Sequence, residues 1–244
     1  MATHKMKPII MLATPVFAGV HRRVYHSHKA LTYYCGREMT DYDFAIAGID
    51  RRVAVATARN TIVRAALRID ADWILWMDDD QTVPEDACER LLARKKDIVC
   101  GLSFIRSQPY HAMLIDNSDG VRWVDDYPEG LIEADACPFG CALTHTKVFK
   151  KMMQPWFWDQ PGRYSEDVYF ARKAKAAGFK VWADTTVKTG HLGEPVLIDE
   201  TFAKAYWATQ KSREIVDEDA CPIPRETRGK FETVTIKGSA EGDD

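Results

Sequence analysis

The chain has 244 residues, 46% of them hydrophobic, and a formal net charge of −3, which suits one sizeable domain, since single cores keep growing to roughly 250 residues. No apolar run approaches the roughly 18 residues that a membrane-spanning helix needs, and the start does not read as a signal peptide, so the expectation is a cytoplasmic protein without membrane insertion. Six scattered cysteines fit a reduced compartment, and Cys137 and Cys141 have neither the C-x-x-C spacing nor the second pair of a zinc knuckle. The charge is uneven: residues 1–76 hold 11 of the 33 Lys and Arg but 6 of the 36 Asp and Glu. Arg22, Arg23, Arg51, Arg52, Arg59 and Arg64 could meet a polyanion or a diphosphate, although surface arginines more often only solvate a face.

In chain order, the apolar run from Ile9 to Ala13 ends in Thr14-Pro15 and predicts a buried strand that stops at a proline-led loop. A helix is expected from about Val20 to Cys35, ending at Gly36, then a strand over Asp43 to Gly48 and a helix over Ala54 to Ile69 with Ile62, Ala65, Ala66 and Ile69 on one face. Trp73 to Met77 predicts a buried strand that runs straight into Asp78-Asp79-Asp80. Pro84 should open a helix that is acidic early, at Glu85 and Asp86, and basic late, at Arg94, Lys95 and Lys96. Asp97 to Leu102 is the next strand, and the alternation to this point implies a largely parallel, doubly wound α/β sheet with ligands at the carboxyl ends of its strands. Tyr110 to Ala136, with turns at Asn117 to Gly120 and Pro128 to Gly130, suggests added antiparallel strands. Pro138-Phe139-Gly140 precedes a short helix near Lys147. Ser165-Glu166-Asp167 opens a stronger helix that ends at Gly178, Lys180 to Ala183 is a strand, and Val187 to Gly193 carries His191. Ile198 to Lys211 predicts the last helix, and from Asp217 the chain reads as a polar tail.

Three carboxylates at the end of a buried strand are costly without a cation. In D-x-D the first and third side chains leave an extended backbone on the same side, so Asp78 and Asp80 can address one divalent ion or its waters. An acidic turn capping the Pro84 helix is an equal alternative. Glu166 and Asp167 complement a helix dipole that Ser165 can cap, but a carboxylate fixed at a helix start beside a cleft is also a good general base. His191 stands between Gly190 and Gly193, which allow a backbone to approach a ligand closely.

The order of these pieces resembles GT-A glycosyltransferases over about residues 8–210. The resemblance rests on Ala13-Thr14-Pro15, Ala58-Arg59-Asn60, the D-x-D at Asp78 to Asp80, Phe139-Gly140, Ser165-Glu166-Asp167-Val168-Tyr169-Phe170 with Ala176-Ala177-Gly178-Phe179, and Gly190-His191-Leu192-Gly193. It implies a single GT-A domain over 1–216, with a nucleotide-sugar half at about 8–102 and an acceptor half at about 103–212. It also implies that Thr14 and Pro15 line a nucleotide pocket, that Arg59 faces the nucleotide or diphosphate, and that Asp79 and Gly140 lie in the substrate-binding set. Asp78 and Asp80 would hold metal and nucleotide, with Asp80 and His191 as direct ligands of Mn²⁺ rather than Mg²⁺. Glu166 and Asp167 would face the acceptor, with Asp167 as the base of an inverting transfer; a histidine ligand is also familiar in retaining members. The donor would be a nucleoside diphosphate sugar. The acceptor of so compact, phage-like a chain would be modified DNA, a protein or a small glycoside, and Trp156, Phe157 and Trp158 would either stack on an exposed base or pack the acceptor half.

Other chemistries use the same residues. Asp78-x-Asp80-x-Thr82 fits the signature of haloacid-dehalogenase-like phosphatases, with Asp78 as nucleophile, although that motif follows the first strand of its fold and here two βα units precede it. Nucleotidyl transfer would need a Gly-rich basic loop after the first strand, which is missing. A non-catalytic sugar-nucleotide binder is the remaining alternative.

Overall fold

An unbroken apolar run cannot alternate between core and solvent, so Ile9–Pro15 (β1) is covered on both faces, with Ile10, Met11, Leu12 and Ala13 all buried. The computed structural model describes residues 6–17, 19–49, 53–116, 122–160, 165–193 and 197–214. After β1 come α1 (Arg22–Glu38), β2 (Asp43–Ile49), α2 (Val55–Arg68), β3 (Trp73–Met77), β4 (Gln81–Thr82), α3 (Ala87–Ala93) and β5 (Ile98–Leu102). The second part holds β6 (Ile115–Asp116), β7 (Arg122–Trp123), β8 (Leu131–Ala134), β9 (Cys141–His145), α4 (Thr146–Lys151), α5 (Glu166–Ala176), β10 (Val181–Lys188), β11 (Gly190–Leu192), β12 (Leu197–Ile198) and α6 (Glu200–Glu214). Residues up to Tyr206 form one compact unit, and those from Trp207 are assigned to a second.

Seven strands form the main sheet in the order β2-β1-β3-β9-β5-β10-β8. β1 pairs in parallel with β2 and β3, and β5 with β10, while β9 runs antiparallel between β3 and β5 and β8 runs antiparallel at the edge. Five strands therefore point the same way, and their carboxyl ends share one rim. β3 shows why the sheet is buried twice. Leu75 and Met77 join the core built with Leu31 and Cys35 of α1 and Leu91 of α3. On the opposite face Trp76 meets Phe139, Phe149 and Phe157 edge-on at 5.5–6.3 Å.

Several expected elements change. The antiparallel β9, which the sequence reading passed over between Gly140 and the helix at Lys147, fills the middle of the sheet and makes it mixed. α1 passes through Gly36, because the Met39 N–H still reaches the Cys35 carbonyl at 3.2 Å. The helix expected from Pro84 begins only at Ala87, after a turn in which the Ala87 N–H reaches the Pro84 carbonyl at 3.1 Å. It ends before Lys96, where Lys95 takes a left-handed φ of 52°. Cys35, Cys88, Cys100, Cys137 and Cys141 are buried free thiols. Arg51, Arg52, the turn at 117–120, Cys221 and the polar tail lie outside the described residues, among which no helix is long and apolar enough to cross a membrane.

Candidate active site

The rim formed by the ends of β1 and β3 opens into a cleft of about 400 Å³. Pro15 and Phe17 from the β1 loop, Val55 and Arg59 from α2, Asp78, Asp79 and Asp80 after β3, Arg106 after β5, Glu166 and Asp167 at the start of α5, and His191 of β11 all line it. Residues as far apart in sequence as 15 and 191 meet because parallel strands deliver their following loops to one edge.

Arg59 is 2% exposed. Its Nη2 donates to both oxygens of Asp78, at 2.9 and 3.0 Å, and lies 3.6 Å from Glu166 Oε1. Its Nε and Nη1 are buried and make no hydrogen bond among the described residues. The guanidinium carbon instead sits 5.3 Å from the Phe139 centroid, 5.8 Å from that of Phe157 and 6.0 Å from that of Trp76, so aromatic faces stand where acceptors are lacking. Burial pushes the Asp78 and Glu166 carboxyls above their ordinary range even though the Arg59 charge pulls both down.

Asp79 also lines the cleft, and its Oδ2 accepts the Phe17 N–H at 2.7 Å, which ties the β1 loop to the triplet. Asp80 points into the cleft. Its Oδ2 lies 3.0 Å from Arg106 Nη1 and 3.3 Å from His191 Nε2. Burial raises the Asp80 carboxyl, but the His191 and Arg106 partners outweigh it and hold the group below its usual value. His191 reaches this place because β11 pairs with β4, His191 opposite Gln81, and the Leu192 N–H donates to the Asp80 carbonyl at 2.8 Å.

The second ring nitrogen decides what His191 can do. Nδ1 lies 2.7 Å from the Phe104 carbonyl, which can only accept, so Nδ1 carries the proton and a neutral ring turns the Nε2 lone pair toward Asp80. Two lone pairs 3.3 Å apart need a proton or a cation between them. A carboxylate and an imidazole oriented by a backbone carbonyl are a fitting pair of ligands for a divalent ion. No group of three or more His, Cys, Asp or Glu stands ready to hold a metal among the described residues, so the remaining positions would fall to substrate oxygens and water, as is common for ions that bridge a protein and a diphosphate.

The fold has counterparts of known structure. A197 from STIV superposes with a TM-score of 0.52 at 20% identity, covering 80% of this chain and 94% of that one. GalNAc-T7, in a structure with UDP, GalNAc and Mn²⁺, superposes with a TM-score of 0.52 at 12% identity over 76% of this chain and 44% of that one, so this chain spans less than half of that protein. The model of the Anp1 family, a glycosyltransferase family, matches residues 41–128. The fold is that of a GT-A glycosyltransferase. No curated protein matches the sequence. Within this GT-A chain the family match includes Arg59, the aspartate triplet and Arg106 but stops short of Glu166, Asp167 and His191.

The expected site residues mostly line this cleft, and several have partners other than those expected. Arg59, expected to face the nucleotide or diphosphate, lines the cleft, but its buried guanidinium is paired with Asp78 and serves as that carboxylate's counter-ion. Thr14 stands at the end of β1 but not among the residues lining the cleft, whereas Pro15 does. Gly140 does not line it either: a Cβ there would lie 2.2 Å from Gln81 Cδ, so the glycine admits the buried Gln81 side chain rather than a ligand. Gly190 likewise makes room for Thr82 and Leu197, not for a substrate. The Ser165 hydroxyl makes no helix-capping bond and donates instead to Asp167 Oδ1. Trp156 and Phe157 are core, Trp156 Nε1 donating to the Phe149 and Met152 carbonyls at 2.9 and 3.1 Å, and only Trp158 is exposed. The phosphatase reading would need Asp78 as a free nucleophile, whereas both of its oxygens accept from Arg59 Nη2.

Arg106, Phe17, Met113 and the 53–55 segment were missed. Arg106 follows the carboxyl end of β5, the position where ligands of parallel sheets gather, and that rule alone could have singled it out.

Proposed function

We propose that this chain is a divalent-metal-dependent glycosyltransferase that moves a hexosyl or pentosyl group from a nucleoside diphosphate sugar to an acceptor hydroxyl. The observation that supports the reading best is the Asp80–His191 pair, with its ring orientation set by Phe104, in a cleft that also holds two carboxylates at the start of α5. Asp80 and His191 would hold Mn²⁺ or Mg²⁺, which when bound supplies charge neutralisation for the departing diphosphate. Asp78, fixed by Arg59, keeps the triplet in register behind them. Asp167, oriented by the Ser165 hydroxyl, would take the proton of the acceptor hydroxyl. The freed oxygen then attacks the anomeric carbon as the bond to the diphosphate breaks, and the nucleoside diphosphate leaves with inversion. Glu166, raised by burial and close to Arg59, would position rather than deprotonate.

The donor half would be residues 8–102 and the acceptor half 103–212. A protein hydroxyl or a small glycoside suits the acceptor better than modified DNA, because two of the three aromatic residues that might have stacked on a base are committed to the core. The reading is tested by incubating the protein with a panel of nucleotide sugars and Mn²⁺ and following nucleoside diphosphate release and the anomeric form of the product. Metal-dependent release is expected. Inorganic phosphate from a phosphomonoester, with no turnover of any nucleotide sugar, would overturn it.

A further inference from the structure

The proposed metal ligands are already in use. Asp80 Oδ2, the oxygen 3.3 Å from His191 Nε2, is also 3.0 Å from Arg106 Nη1. A divalent ion placed between Asp80 and His191 would therefore sit beside a guanidinium on the same carboxylate oxygen, and two cations cannot share that oxygen without strong repulsion. Arg106 is well suited to leave, because its side chain is 56% exposed. Its backbone neighbours are not free to follow. The Ile105 N–H is held by the His111 carbonyl at 3.0 Å, and Phe104, fully buried, fixes the His191 ring through its carbonyl. One short segment thus holds the histidine through the Phe104 carbonyl while presenting an exposed cation two residues later.

The guanidinium has a place to go. Arg106 lines both the main cleft and an adjoining cavity of about 620 Å³ with Phe17, Gly19, His21, Asp79, Asp80, Leu192 and Gly193. Among the described residues lining the main cleft, the permanent cations are Arg59 and Arg106, and Arg59 is buried and committed to Asp78. One divalent ion balances the two charges of a nucleoside diphosphate sugar, but the nucleoside diphosphate that departs gains a further negative charge, and Arg106 is the lining cation that can reach out to it.

We propose that Arg106 is an exchangeable counter-ion, which neutralises Asp80 before the metal binds and moves to the diphosphate when the metal displaces it. Metal alone must break the Arg106–Asp80 pair, whereas metal with a diphosphate gives the displaced guanidinium a new partner. The two ligands therefore assist each other through this side chain. The inference rests on the metal site proposed above.

The probes are Mn²⁺ and inorganic pyrophosphate, which carries the diphosphate chemistry without a sugar or base. Free Mn²⁺ is counted by electron paramagnetic resonance in titrations of the wild type, Arg106→Ala and Arg106→Lys, each with and without pyrophosphate. Arg106→Ala should bind Mn²⁺ alone about tenfold more tightly than wild type, and its Mn²⁺ form should bind pyrophosphate about tenfold more weakly. Arg106→Lys, which keeps the charge, should stay near wild type for Mn²⁺, and it carries the test if the alanine variant does not fold. Unchanged or weaker Mn²⁺ binding by Arg106→Ala, or tighter Mn²⁺ binding by Arg106→Lys, overturns the exchange while leaving the metal site standing. No Mn²⁺ binding by any of the three proteins overturns the metal site and the exchange together.

Discussion

Arg59→Ala removes the buried counter-ion of two part-buried carboxylates at once. The guanidinium is 2% exposed, donates to both Asp78 oxygens at 2.9 and 3.0 Å and lies 3.6 Å from Glu166. Breaking a buried ion pair from one side costs about 3–5 kcal/mol, which in a domain of this size lowers the melting temperature by about 6–20 °C. The loss should depend on pH in a definite direction. Asp78 and Glu166 are raised by burial despite Arg59, and without it they are raised further. A carboxyl raised in the folded state binds more protons there than in the unfolded chain, so its favourable contribution is present in acid and is lost as pH rises through the folded value. The deficit of Arg59→Ala should thus be smallest near pH 4 and widen toward neutrality, by up to about 1.4 kcal/mol per pH unit for each group. Urea denaturation followed by circular dichroism between pH 4 and 8 measures this. A deficit under about 1 kcal/mol at neutral pH, or one that narrows as pH rises, would refute the reasoning.

Asp167→Asn should leave nucleotide-sugar binding nearly intact and slow transfer by about a hundredfold or more, and full activity in a single-turnover assay would remove Asp167 as the base. Gly140→Ala should cost about 1–3 kcal/mol through overpacking against Gln81, with partial recovery in the Gly140→Ala/Gln81→Ala double variant; an unchanged melting temperature in the single variant would show that Gln81 yields freely. Trp156→Phe leaves two carbonyls without their indole donor and should cost about 1–3 kcal/mol. By comparison Trp158→Phe, at an exposed position, should change stability by under about 0.5 kcal/mol, and equal effects in thermal melts would contradict the division between them.

What the sequence made legible were segments whose burial is written in their own composition. Trp73–Met77 has the expected bounds because five largely apolar residues between polar neighbours admit no other use, and Asp78–Asp80 follows from where that strand must end. β9 was missed because Cys141–His145, flanked by Gly140 and a helix, is too mixed in composition to announce itself, and its place between β3 and β5 depends on both of those strands. The pairing of Gln81 and Thr82 with β11 has the same origin, since its partner strand lies more than 100 residues away. Asp80, His191, Glu166 and Asp167 were found by residue type at strand and helix ends, and the cleft brings them together. The assignment of Arg59 could not be read in advance, since whether an arginine turns outward to a ligand or inward to a carboxylate depends on the aromatic faces of Trp76, Phe139 and Phe157 around it. Arg106 was overlooked because one arginine in a loop stands out only by its place after the carboxyl end of β5, a rule that was not applied to it.

The most direct test of the central claim is a calorimetric titration of nucleoside diphosphates into the wild-type protein and into His191→Ala, each with and without Mn²⁺. The account predicts that Mn²⁺ strengthens binding of at least one nucleoside diphosphate by about tenfold or more in the wild type and that His191→Ala abolishes that gain while keeping the metal-independent part. Equal affinity with and without Mn²⁺ in the wild type, or an undiminished gain in His191→Ala, would contradict it.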